Sequence, residues 1–156
     1  MALPDRLRRL LPGLWAGWLL CVSALATPAA FALLDKPTAA RVVARMLAHE
    51  AYTSLAIGTV LLALERVVAR RAALDGSGSQ FTTGMVLALG ALFCTVLGYF
   101  ALQPMMEAAR AGQGSLSFGQ LHAISLAFYG LKLALVLVLA WRALGPAGPV
   151  SPAPSS

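Results

Sequence analysis

Charge is what this sequence has least of. Of 156 residues only 12% are charged and 59% are hydrophobic, and the mean hydropathy is +0.77. A water-soluble domain carries about a quarter charged residues. So few charges cannot coat a water-facing surface, and lipid is the expected solvent. Cysteine occurs only as Cys21 and Cys94 and histidine only as His49 and His122. With no C-x-x-C or M-x-x-M spacing, a disulfide framework is excluded and no metal site is expected, Met105 and Met106 notwithstanding. Period-two alternation is missing, which argues against a transmembrane barrel. No internal repeat stands out, which leaves an inverted-repeat transporter unsupported. The net charge of +6 is not gathered into a basic patch with interleaved aromatics, so nucleic-acid binding is not expected either.

What is present are long apolar runs. Four stand out: Leu11–Leu34, a stretch near Met46–Leu64, Thr82–Gln103, and Phe118–Trp141. Each supplies the roughly 20 residues that cross a hydrocarbon layer about 30 Å thick. Such a run satisfies its own backbone hydrogen bonds only as a helix. The expected fold is therefore all-α, a four-transmembrane-helix bundle with up-down-up-down topology. Residues 1–145 would form this single domain and residues 146–156 a disordered cytoplasmic tail rich in proline, glycine and serine. The first run also resembles a signal peptide, with "RLRR" before it and "SALATPAA" inside it. It continues past Ala26 to Leu34, longer than a usual signal core, which favours a retained helix.

Basic residues set the expected orientation. Arg6, Arg8, Arg9, Arg66, Arg70, Arg71 and Arg142 fall on the side of the termini, against Lys36, Arg41, Arg45 and Arg110 on the other. That bias puts both termini in the cytoplasm. Trp15, Trp18 and Trp141 read as interfacial anchors of the same face, and Glu65 and Arg66 as ordinary interfacial charges. "GLWAG", Gly13 to Gly17, offers a small-xxx-small motif for close helix packing. Pro37 suits the first turn of the second helix, Ser117 the N-cap of the fourth, and Pro104 a kink in the third.

The polar residues inside these runs are not scattered. At 100° per residue, His122, Ser125, Tyr129 and Lys132 share one strip of the fourth helix. Thr95, Tyr99, Gln103, Glu107 and Arg110 share a face of the third, and Glu50, Ser54 and Gly58 a face of the second. Depth reckoned at 1.5 Å per residue puts Glu50 within about 10 Å of the outer surface, His122 about 6 Å in and Lys132 about 20 Å in. The strips converge in the outer half, while the inner half is almost all Leu, Val, Ala and Gly. A polar pocket is expected there, open to the periplasm, lined by Glu50, Tyr99, Gln103, His122, Ser125, Tyr129 and Lys132. Lys132 forms its floor and Glu50 is its expected partner, because a charge within the membrane faces inward and is paired.

"GLWAGWLLCVSALATPAAFALL", "RMLAHEAYTSLAIGTVLLALER", "FCTVLGYFALQPMMEAARAGQGSLSFGQLH" and the Lys132 helix together resemble the bacterial family of unknown function 4149, which is related to eukaryotic transmembrane protein 205. The resemblance covers almost the whole chain except the tail. Its most specific part is the opening of the last helix, Phe118, Leu121 and His122, followed by Ser125. In the first helix Trp15, Gly17, Pro28 and Phe31 match, and Leu25 departs. The resemblance implies a four-helix protein of the bacterial inner membrane and brings no reaction with it. A fainter similarity runs to copper-resistance D proteins and to the haem-dependent protoporphyrinogen oxidase of the J type, from which this chain departs by having no histidine before Trp15.

The expectation is thus a small inner-membrane protein, partnered by the lipid bilayer and open to self-association or a membrane partner. Its pocket would hold a small solute, ion or lipid headgroup, or relay protons, with no resident cofactor. Two alternatives stand beside it: a haem-binding redox protein using His122 or His49 as axial ligand, and a scaffold whose polar strips face partner helices.

Overall fold

In a computed structural model, residues 3–76 and 78–145 are described. The expected tail, residues 146–156, lies outside them. Four helices make up the fold: α1 (Leu3–Leu33), α2 (Lys36–Leu74), α3 (Thr83–Arg110) and α4 (Phe118–Ala143). All four are long and apolar enough to span a membrane, and no strand occurs among the described residues. Around the bundle the order is α1, α2, α3, α4, with α1 facing α3 and α2 facing α4 across the diagonals. We call the end with both termini the terminal end and the other the far end.

Local chemistry fixes the turns. Asp35 caps α2, accepting the Thr38 amide at 3.1 Å, and Pro37 sits in the first turn. The Thr38 hydroxyl and then its amide hold the Asp35 carboxyl below the usual carboxylate range. Ser117 caps α4 in a reciprocal pair with Gln120. Gly112, at φ 74°, ends α3 while the Gln113 amide returns to the Ala108 carbonyl at 2.9 Å.

The terminal half packs around an apolar core, and a second cavity of about 640 Å³, lined by Arg8, Glu65, Ala88 and Arg142 among others, lies towards its end. Trp15, Ala16, Leu19, Leu61, Ala91 and Val136 form that core. Trp15 is therefore not an interfacial anchor: it is 0% exposed and donates its indole N–H to Ser54 Oγ at 2.8 Å. Trp141, 79% exposed, keeps a surface position. Nor does the Gly13–Gly17 motif pack inside the bundle, because a methyl added to either glycine would meet nothing within 4 Å. Glu65 also differs from expectation. It pairs with Arg8 of α1 at 2.9 Å and accepts the hydroxyl of Thr82, the N-cap of α3, at 3.0 Å. One carboxylate thereby ties α1, α2 and α3 together.

The far half is built differently. In α1 the turn Cys21–Ala26, and in α3 the turn Val96–Ala101, are π-helical. Each ends shortly before a proline, Ala26 before Pro28 and Ala101 before Pro104. A proline ring clashes with the carbonyl four residues before it and donates no hydrogen bond to it. Those carbonyls belong to Ala24 and Phe100, inside the two π-turns, where widening the helix relieves the clash. The distortion expected at Pro104 thus sits in the turn before it. Past this level α1 packs on α2 and α3 on α4, and the two hairpins part into a wedge.

One close approach holds the second hairpin. A methyl at Gly98 would lie 2.8 Å from Phe128 Cβ, an atom fixed to the α4 backbone. Gly98→Ala is therefore expected to push α3 from α4 and cost about 1–3 kcal/mol, whereas Gly13→Ala is expected to be near neutral. Reversible unfolding in mixed micelles, followed by circular dichroism, separates the two. Equal stability of both variants would contradict the packing.

Candidate functional site

The wedge encloses a cavity of about 490 Å³. All four helices contribute to its wall, and Glu50, Tyr99, Gln103, His122, Ser125, Tyr129 and Lys132 all line it. The floor lies where the hairpins part. Lys132 Nζ donates to Glu50 Oε1 at 2.7 Å, with the side chains 4% and 3% exposed. The pair spans the α2–α4 diagonal, so it closes the centre of the bundle rather than one of its seams.

Helix lengths explain why these two residues meet. From Lys36 to Glu50 and from Phe118 to Lys132 is the same fourteen residues, about 21 Å of helix. Both helices start at the far end, so both side chains arrive at one level. Counting the second helix from near Met46 and not from Lys36 places Glu50 nearer the far end than Lys132; the two are in contact at one level. The helix is continuous from Lys36.

The pair is embedded in a satisfied network. Ser54 Oγ donates to Glu50 Oε1 while accepting the Trp15 indole, which joins the floor to the core below. Lys132 Nζ lies 4.6 Å from the Tyr129 ring centroid, a cation–π contact. The Tyr129 hydroxyl donates to the Leu19 carbonyl at 2.8 Å, and Ser125 Oγ to the Gly98 carbonyl at 2.9 Å. Ser23 also reaches the Leu19 carbonyl, and Thr27 the Val22 carbonyl, both at 2.8 Å. Much of the polar strip therefore serves backbone groups at or next to the π-turns. Among the described residues no buried side-chain N or O atom lacks a partner.

Above the floor the wall is mainly apolar, with Phe31, Val43, Leu47, Met106 and Leu126. The mouth carries Arg110, whose guanidinium sits 4.4 Å from the Phe118 ring centroid, and His122, whose ring stacks on Phe118 at 5.7 Å. His49 is exposed and lies outside the cavity. Glu107, expected on the same face as Gln103, is exposed and not part of the lining. Cys94 lines the cavity, Cys21 is exposed, and both are free thiols. No group of three or more His, Cys, Asp or Glu side chains that could hold a metal gathers among the described residues.

Sequence reasoning missed Ser23, Thr27 and Thr95 as lining residues and Glu65 as a clamp. A hydroxyl residue one to five positions before a proline in an apolar run is the signal that would have found the first two. The combination of apolar walls, convergent polar groups and one buried ion pair suits reversible binding of a small amphipathic molecule.

The family described as a domain of unknown function, DUF4149, matches residues 10–115. The match takes in Glu50, Tyr99 and Gln103 and ends before α4, so the Phe118–His122 opening and Lys132 lie beyond it. No curated protein and no solved structure matches the chain.

Proposed function

The chain belongs to the DUF4149 family, a domain of unknown function, and we propose that this multi-pass membrane protein binds a small bilayer-borne molecule in the wedge between its two hairpins. One observation carries the reading: polar side chains from separate helices turn inward onto a single cavity whose floor is the buried Glu50–Lys132 pair. A scaffold whose strips contact partner helices would turn them outward, which speaks against that alternative. Because the hairpins separate above the π-turns, a ligand dissolved in the membrane can enter between them without crossing the apolar core of the terminal half. The excess of arginine at the terminal end supports an inner-membrane orientation with both termini in the cytoplasm and the wedge toward the periplasm.

The test is a cavity-filling variant. Ala44 lines the wedge, and Ala44→Phe is expected to fill it while leaving helix content unchanged. Solvent extraction and mass spectrometry of the purified proteins should find an amphiphile with the wild type and at least tenfold less with the variant. Equal amounts on both proteins would overturn the reading. An absorption spectrum taken on the same sample, oxidised and then reduced, addresses the haem alternative. A reduction-shifted Soret band that is lost in His122→Ala would replace the proposal with a haem protein; a featureless spectrum is expected.

A further inference from the structure

The chemical class of the ligand follows from how charge is distributed along the wedge. At the floor the charges cancel, since Lys132 and Glu50 pair with each other and Glu50 is further held by Ser54. At the mouth they do not. Arg110 makes no ion pair among the described residues, and its guanidinium rests only on the face of Phe118. Its neighbour His122, stacked on the same ring, supplies a further polar edge. Among the described residues Arg110 is thus the one lining cation whose charge is not answered by a carboxylate, and it is exposed at the last residue of α3.

Between mouth and floor the wall is mainly apolar, with Tyr99, Gln103 and Ser125 among its polar side chains. From His122 to Lys132 is ten residues of α4, about 15 Å. That is the length of an extended chain of roughly a dozen carbons, with bonds of about 1.5 Å along a zigzag. The volume, about 490 Å³, admits one such chain and is small for a two-chain lipid.

We infer that the occupant is a single-chain amphiphile with an anionic head, the head on Arg110 at the mouth and the tail lying down the wedge toward the Glu50–Lys132 pair. This rests on the reading of the wedge as a ligand site and adds charge selection and a direction to it. A carboxylate and a phosphate ester share the required chemistry, because arginine receives both through parallel N–H donors.

Trp15 makes the direction measurable. It lies under the floor, joined to Glu50 through Ser54, and Trp18→Phe/Trp141→Phe leaves it the single indole of the chain. In neutral detergent this protein is titrated with undecanoate brominated at its terminal carbon, undecanoate brominated beside the carboxyl, and undecanol brominated at its terminal carbon. Bromine quenches indole fluorescence at short range. The terminally brominated acid is expected to quench Trp15 saturably and in competition with plain undecanoate, and the acid brominated beside its carboxyl to quench weakly. The alcohol should bind roughly tenfold more weakly than the acid, as loss of one charge-assisted hydrogen bond predicts, and Arg110→Gln should abolish that difference. Undecyl phosphate brominated at its terminal carbon, used in place of the acid, tells whether the head is read as a carboxylate or as any anion.

Equal binding of acid and alcohol, still blocked by Ala44→Phe, would overturn the anionic head and leave the wedge as a ligand site. The reverse quenching pattern would overturn the direction. No saturable quenching by any probe would remove both this inference and the reading beneath it.

Discussion

Lys132→Met is expected to cost about 3–5 kcal/mol of stability, because it strands the Glu50 carboxylate inside the bundle with only Ser54 for a partner. The pair itself is not the source of a gain of that size. Desolvating two charges offsets most of their attraction, so a double replacement that leaves neither charge is far milder than a single one. Glu50→Gln/Lys132→Met should therefore recover most of what Lys132→Met loses, and the double-mutant cycle should give a coupling well above 1 kcal/mol. Unfolding in mixed micelles, followed by circular dichroism, measures each corner. If both single variants cost less than about 1 kcal/mol and simply add, the two groups are not in contact in the folded protein.

Trp15→Ala carries the second large effect, about 3–5 kcal/mol. The ring is wholly buried between α1 and the rest of the core under the wedge. Trp15→Phe separates the contributions. It keeps an aromatic ring in the site and removes the indole N–H, leaving Ser54 to donate to Glu50 but with nothing to accept. About 1–2 kcal/mol is expected for that lost bond and the smaller ring. The same unfolding assay checks both, and a Trp15→Ala protein as stable as the wild type would place the ring on the lipid-facing surface instead.

These residues show where the sequence was readable. Spacings of three and four inside an apolar run turned Lys132, Tyr129, Ser125 and His122 to one side, and the cost of a bare ammonium in lipid pointed to a carboxylate opposite. That reasoning needs only helix geometry and solvation, and it reached Glu50. Trp15 was misread because a tryptophan near a helix end beside arginines has the composition of an interfacial anchor, and only the packing of α1 against α2 and α4 reveals its partner. Glu65 was misread for the same reason, since Arg8 and Thr82 come from other helices. The π-turns were half legible. Pro28 and Pro104 announce a disturbed helix, but whether it bends at the proline or widens in the turn before is decided by tertiary contacts such as Gly98 against Phe128.

The architecture assigns the two halves separate tasks. The terminal half is held together by an apolar core and by the Arg8–Glu65–Thr82 clamp. In the far half, helices on one diagonal carry the π-turns while helices on the other carry the ion pair. Carbonyls at or next to these turns, those of Leu19, Val22 and Gly98, are met by the hydroxyls of Ser23, Thr27, Ser125 and Tyr129, as irregular backbone within a membrane requires.

An ion pair across the α2–α4 diagonal forms the floor of the wedge, and the composition permits its direct measurement. The chain has two lysines, Lys36 and Lys132, so Lys36→Arg leaves a single ammonium. In liposomes, with nitrogen-15 at the lysine side chain and carbon-13 at the glutamate carboxyls, a solid-state dipolar recoupling experiment reads the distance between them. The pair should give strong dephasing from a nitrogen within about 4 Å of a carboxyl carbon, abolished by Glu50→Gln. Absence of dephasing in the Lys36→Arg protein, or dephasing that survives Glu50→Gln, would contradict it.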